Sequence, residues 1–348
     1  MAVAYSANGK YLLSGNEEGV QMWRAKDKDT DTRRIAELAA KSVKCLAISK
    51  DGKRVAAGTS SGDVVVWNAK RFREVPVISR RNDTSSIHGV DFSPDSTRII
   101  IASENHTASI LGIDTVERIA LRHKGSVIAA KYSPEGNRIA TATENCVRVY
   151  ECKGNDLRFK LLANIKAPVT SYYNTSLLWE SNEQLIVISD DKIKTIAFPF
   201  RNEPKDLLIP NIKTYSPRRF ALLQDGKYAV CASRRKITFW TWSDSKSQYT
   251  QLTGAQIDHN EEIHSIAAFH VQESQDNQSL AVSPGQESQD HQSLSVSPGQ
   301  ESQDHQSLAV SPGQESQGHQ FLAVGGTGRI VIIDSTSHIE KVRIVHYE

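Results

Sequence analysis

A unit of about forty residues recurs along this chain, and it constrains the fold more than any other feature. Three copies align directly: VKCLAISKDGKRVAAGTSSGDVVVWN (Val43–Asn68), IHGVDFSPDSTRIIIASENHTASILG (Ile87–Gly112) and VIAAKYSPEGNRIATATENCVRVYE (Val127–Glu151). The chain opens on a fourth, MAVAYSANGKYLLSGNEEGVQMWR (Met1–Arg24), and weaker copies run over Ser176–Phe198 and Arg219–Thr241. The last joins Ile263–Phe269 to Phe321–Asp334 across an interruption, which brings the count to seven. Each copy reads as three short strands. The first ends in a turn such as Lys50-Asp51-Gly52-Lys53 or Ala7-Asn8-Gly9-Lys10, where Asp or Asn before Gly suits a tight hairpin. The second strand finishes in small residues (Ala56-Ala57-Gly58, Ala140-Thr141-Ala142, Leu13-Ser14-Gly15), which let a neighbouring sheet come close. The third ends in a large one: Trp23, Trp67, Leu111 or Tyr150.

The run Asp63-Val64-Val65-Val66-Trp67 is apolar on both faces, whereas a strand of a one-sided sheet would alternate. Burial on both faces means each small sheet is sandwiched between two others, and stacked sheets of that kind close into a ring. The Ser-Pro-Asp-Gly-like turn, the small-residue strand and the strand ending in Trp resemble WD40 repeats. The opening repeats are similar to WD-repeat proteins of mushroom-forming fungi. The closing Asp of the family signature is kept at Asp334, while Arg24, Asn68, Gly112, Glu151 and Thr241 stand in its place elsewhere.

The resemblance implies an all-β fold, a β-propeller of four-stranded antiparallel blades. Third strands end near positions 23, 67, 111, 150, 197, 240 and 333, so the expected ring has seven blades. The outermost strands fall between units, as at Arg34–Leu38 and Glu117–Leu121. Because the first unit has no strand before it, the C-terminal run Ile339–Tyr347 is expected to complete blade one and close the ring.

A second repeat interrupts the last unit. From Gln272 the chain reads QESQDNQSLAVSPG, QESQDHQSLSVSPG, QESQDHQSLAVSPG and a partial QESQGHQFLAVGG. Residues 272–317 are therefore expected to be a low-complexity, disordered insertion in the first hairpin turn of blade seven, within a single domain over 1–348. A long surface loop is tolerated because closure entropy grows only logarithmically with length. Ser283, Ser297 and Ser311, each before a proline, resemble acceptor sites of proline-directed kinases. Tandem duplication alone also accounts for their regular spacing.

Charge is distributed unevenly. The chain carries 42 basic and 40 acidic residues, but 272–317 holds seven acids and no Lys or Arg, leaving 42 against 33, or +9, elsewhere. The pairs Arg80-Arg81, His123-Lys124 and Arg218-Arg219 fall in connections leading into a first strand, and Arg234-Arg235-Lys236 falls in a turn before a third. In a propeller these loops emerge on one face, where they could form a positive rim for acidic or phosphorylated peptides. Arg33-Arg34 and Lys70-Arg71, which belong on the other face, make scattered solvated charge the competing reading. In the same unit His123, Thr141, Asn145 and Tyr150 match the family's His–Ser/Thr–Asp–Trp set, which implies a structural hydrogen-bond network rather than a triad.

No activated nucleophile stands beside a base, and the four cysteines are not spaced for metal or disulfides. The expectation is a non-catalytic protein-protein interaction scaffold, a monomeric ring binding proteins or peptides. It includes no catalytic residues, cofactor, metal, membrane segment or small-molecule substrate. A substrate-recognition propeller and a basic nucleic-acid-binding propeller are the alternatives, although no RNA- or DNA-binding motif occurs. With no basic flank and apolar stretch at the start, a cytoplasmic or nuclear location is expected.

Overall fold

The computed structural model describes residues 2–6, 11–24, 33–38, 40–69, 78–81, 84–152, 158–166, 176–188, 193–198, 205–206, 219–223, 228–232, 235–243, 248–258, 263, 265–270, 320–325, 330–334 and 342–345. Every element among them is a strand, and the strands form seven four-stranded antiparallel sheets, an arrangement consistent with a propeller. The first sheet is built from Ala2–Tyr5, Tyr11–Gly15, Val20–Arg24 and Arg33–Leu38, in that order. The second uses Val43–Ile48, Arg54–Thr59, Asp63–Asn68 and Ile78–Arg81, and the third Ile87–Phe92, Arg98–Ser103, Thr107–Gly112 and Arg118–Arg122. The fourth uses Val127–Tyr132, Arg138–Thr143, Cys146–Cys152 and Phe159–Lys166. Ser176–Ser181, Gln184–Ile188, Ile193–Ala197 and Lys205–Asp206 make the fifth. The sixth is Arg219–Leu223, Tyr228–Ala232, Lys236–Ser243 and Gln248–Asp258. The seventh is Ser265–His270, Gln320–Gly325, Ile330–Asp334 and Val342–Val345.

One expectation is overturned here. The C-terminal strand Val342–Val345 pairs with Ile330–Ile333 of the seventh sheet, and the first sheet takes its outer strand from Arg33–Leu38. Each outer strand thus belongs to the unit before it, so no sheet is left short. The physical reason is locality: an antiparallel neighbour reached by a short connection forms at a lower entropic cost than one recruited from the far end of the chain. The fourteen-residue copies fall between Ser265–His270 and Gln320–Gly325, which pair with each other, and lie outside the described residues.

A buried serine fixes the first hairpin of successive sheets. Its hydroxyl accepts the N–H that opens the second strand: Tyr11 to Ser6 at 2.9 Å, Arg54 to Ser49 at 2.9 Å, Arg98 to Ser93 at 2.9 Å and Arg138 to Ser133 at 3.1 Å. The fourth turn residue is left-handed in three of these turns, at Gly52 (φ 67°), Ser96 (φ 60°) and Gly136 (φ 77°). Ser96 therefore holds a conformation glycine adopts freely, and its Oγ is buried without a hydrogen-bond partner.

Apolar clusters lie between sheets rather than within them. Leu13, Val20 and Met22 pack on Val55 and Trp67 between sheets one and two, and Val64 and Val66 pack on Ile87 and Ile99 between two and three. Ile100 and Ile110 meet Tyr132 and Ile139 between three and four, and Val147 and Val149 meet Leu177 and Leu185 between four and five. Ile186 and Ile188 meet Ala229 and Trp240 between five and six. First strands of sheets six and seven touch, and Ala2–Tyr5 touches both Ser265–His270 and Gln320–Gly325 of sheet seven.

The small residues set the spacing. A Cβ built on Gly58 would lie 2.5 Å from Ile87 Cγ2 and 2.7 Å from Cys45 Sγ, and one on Gly15 would lie 2.6 Å from Val43 Cγ1. Gly58→Val should therefore lower stability by about 1–3 kcal/mol or more in urea unfolding, with Gly125→Ala, where no atom lies within 4 Å, near neutral. Ser96→Gly, which relieves the positive φ and removes the unpaired hydroxyl, should raise stability by roughly 1 kcal/mol in the same assay.

Candidate functional site

Antiparallel order puts the turns between second and third strands, and the connections from one sheet to the next, at one end of the stack. The remaining turns lie at the opposite end. The residues of the expected positive rim follow this rule by sequence position. Arg80 and Arg81 are strand residues rather than loop residues, paired with Val64 and Asp63. Arg219 opens the first strand of sheet six, opposite Ala232. Arg218 and Arg234 lie outside the described residues, as do Ser283, Ser297 and Ser311. Lys124 and Arg235 are exposed and Lys236 is half-buried. The same class of turn also carries the exposed acids Glu17, Glu18 and Glu104. On the opposite end Arg33 and Arg34 begin an outer strand, and Lys70 and Arg71 lie outside the described residues.

His123 is not part of any exposed charge. Its ring meets Tyr150 edge-on with centroids 6.3 Å apart and planes at 88°, and Arg148 Nη1 lies 3.5 Å from its Nδ1. Burial, and secondarily the Arg148 charge, push its pKa down to about 4, so the imidazole is neutral at pH 7. Its Nε2 and the Nε of Arg148 are both buried without hydrogen-bond partners. Of the other members of the expected network Tyr150 meets the imidazole, while Thr141 and Asn145 do not hydrogen-bond to it. Thr141 Oγ1 donates to the Arg148 carbonyl at 3.4 Å, and Asn145 is exposed in the turn. Arg148 takes over the polar role instead, donating from Nη1 to the Arg122 carbonyl at 3.1 Å. Its signal in the sequence was an arginine between two valines in the third strand. The indole-to-hydroxyl part of the pattern does form elsewhere: Trp23 Nε1 donates to Ser14 Oγ and Trp240 Nε1 to Thr238 Oγ1, each at 3.1 Å.

Further polar contacts join neighbouring sheets. Lys131 Nζ lies 2.8 Å from Asp91 Oδ1, and the Tyr132 N–H donates to Asp91 Oδ2 at 3.0 Å, linking first strands of sheets three and four. Arg54 of sheet two donates to the Ser96 carbonyl at 3.1 Å and pairs with Asp114 at 2.6 Å. Arg138 of sheet four donates to the Asn182 carbonyl, with its guanidinium 5.1 Å from the Phe198 ring centre. Sequence reasoning missed these pairs, although Asp91 and Lys131 occupy equivalent places in consecutive units. Among the described residues no group of His, Cys, Asp and Glu converges on a metal position, and no helix is long and apolar enough to cross a membrane.

The family model described as "WD domain, G-beta repeat" matches residues 33–68 and 117–151. Each match spans the outer strand of one sheet and the first three strands of the next. The periodic tryptophan protein 2 homolog of Mus musculus is 25% identical over 173 residues, 47% of this chain and 18% of that protein. These findings support the WD40 repeat family. WD40 repeats indicate a protein-interaction scaffold. Among solved structures, Kuenenia stuttgartiensis hydrazine synthase matches with a TM-score of 0.61 at 14% identity, over 76% of this chain and 88% of that one. That likeness concerns the fold alone.

The buried imidazole gives a pH signature. Its folded pKa of about 4 lies below the ordinary 6.5, so the unfolded state binds more protons between those values. Stability is then lost as pH falls from about 6.5 toward 4, by roughly 1–2 kcal/mol after allowing for solvent screening. His88, whose pKa burial also lowers, adds to the same slope. Replacing His123 with Gln should flatten the difference between denaturant midpoints at pH 7.5 and 5.5.

Proposed function

We propose that this chain is a non-catalytic scaffold for protein-protein interaction: one domain over residues 1–348 whose seven sheets close into a monomeric, seven-bladed ring. The observation that carries the ring is the continuity of packing. An apolar cluster or strand contact lies at every junction from sheet one to sheet seven, and the strand Ala2–Tyr5 meets sheet seven again. A rigid ring with loops at both ends offers several docking surfaces at once, and the WD40 repeat match supports that use. The matched mouse protein is far longer than the matched region, so its activity and partners say nothing specific here. Location in the cytoplasm or nucleus belongs to this reading, as does the kinship of the opening repeats with fungal WD-repeat proteins. So does a role for 272–317 as an inserted low-complexity segment.

A second reading, recognition of acidic or phosphorylated peptides on the loop-bearing end, is favoured by the exposed Lys124 and Arg235. Glu17, Glu18 and Glu104 in the same class of turn weigh against it. Nucleic-acid binding rests only on the +9 body and is weaker still.

Affinity capture with the full chain, followed by mass spectrometry, should recover a reproducible set of proteins that survives deletion of Gln272–Gly313. Recovery of nucleic acid alone, with binding that collapses as salt rises, would overturn the scaffold reading.

A further inference from the structure

The outer strand of the fourth sheet, Phe159–Lys166, carries exposed apolar residues that the scaffold reading does not require. In its register Tyr150 faces Leu161 and Val149 faces Ala163, which leaves Leu162 as an extra, bulged residue. The bulge exchanges the two faces of the strand. Before it, Phe159 packs on the cluster between sheets three and four; after it, Ala163 and Ile165 belong to the cluster between sheets four and five. At the crossover Leu161 and Leu162 both reach solvent, 47% and 36% exposed. Val116 is the other exposed large hydrophobic among the described residues.

Among the described residues this strand ends its sheet, and no strand pairs with its outer side. Lysines such as Lys160 and Lys166 discourage pairing with another edge of like charge, whereas exposed leucines favour association. The charge on the strand itself has a single sign. Arg158, Lys160, Leu161, Leu162, Asn164 and Lys166 are all exposed, and no acidic residue occurs from 158 to 166. Glu151 stands across from Lys160 in register, so Arg158 and Lys166 are the cations at the two ends. Such an edge repels a second copy of itself and favours a strand of the opposite charge.

We propose that Phe159–Lys166 is a docking edge for an extended segment of a partner protein in which apolar residues alternate with Asp or Glu. The segment adds to the sheet through main-chain hydrogen bonds, its apolar side chains cover Leu161 and Leu162, and its carboxylates meet the flanking cations. The surface lies on the rim, apart from both loop-bearing ends. It goes beyond the scaffold reading in naming the partner's chemistry.

The test uses the full chain and a short fluorescein-labelled peptide alternating valine or leucine with glutamate, followed by anisotropy. Binding should weaken roughly tenfold or more in the double variant Leu161→Ser/Leu162→Ser. It should weaken comparably in Arg158→Glu/Lys166→Glu and stay unchanged in Val116→Ser. All three variants change exposed side chains, so their melting curves should match the parent protein. A peptide N-methylated at alternate residues, which cannot form the strand bonds, should not bind. Absence of binding to the parent protein would overturn the proposal, as would undiminished affinity in both double variants. Equal binding of the N-methylated peptide would overturn strand addition in favour of a simple apolar contact. None of these results bears on which proteins the loop-bearing ends retain, so this edge can fail while the scaffold reading stands.

Discussion

Close approach of neighbouring sheets is the constraint on which the rest of the structure depends. A sheet of four short strands cannot bury two apolar faces by itself, yet Val64, Val66, Ile99 and Ile101 are fully buried. They are covered because the second strand of each unit ends in residues small enough for the next sheet to reach. Ile87 Cγ2 and Val43 Cγ1 occupy the space where a Cβ on Gly58 or Gly15 would stand. The two contacts are equivalent, one repeat apart, so a single packing solution is used again along the chain. Where glycine gives way to Ala102 or Ala142 the same position stays small and fully buried.

On this apolar packing the polar contacts act as registers rather than as a source of bulk stability. Asp91 takes both the Lys131 ammonium and the Tyr132 N–H, and it fixes the height of one first strand against the next. Arg54 and Arg138 do the same at the first-hairpin end, each reaching into the neighbouring sheet's turn. An exposed ion pair of this kind is worth little by itself. A bond that also satisfies a turn carbonyl favours one sliding position of the sheets over its alternatives.

Much of this was legible in the sequence because repeats report the same physics several times. The turn serines, the small ends of the second strands and the two-faced apolar third strands each recur, so a weak local signal becomes strong by repetition. Two things were not legible, for different reasons. Which sheet owns an outer strand depends on phase, and a periodic pattern reads the same whether the fourth strand precedes or follows its unit. The family matches over 33–68 and 117–151 straddle two sheets for that reason, and the C-terminal strand was assigned to the wrong end of the chain. The His123 network failed on side-chain competition. Asn145 is exposed, and Arg148, between two valines, lies beside the imidazole and donates to the Arg122 carbonyl.

The corrected phase also bears on how the assembly tolerates a long interruption. Every sheet consists of four strands contiguous in sequence, so pairing within a sheet is local and only face packing is long-range. A hairpin loop lengthened to span residues 271–319 adds closure entropy to one strand pair, Ser265–His270 with Gln320–Gly325, and to no other sheet. Had the C-terminal strand completed the first sheet, the same lengthening would have stood between the first sheet and its own edge. The strand Ala2–Tyr5 lies beside Ser265–His270 and Gln320–Gly325 of the seventh sheet without pairing to either. The strand pairs of the other six sheets keep their separations in sequence whatever the length of that loop.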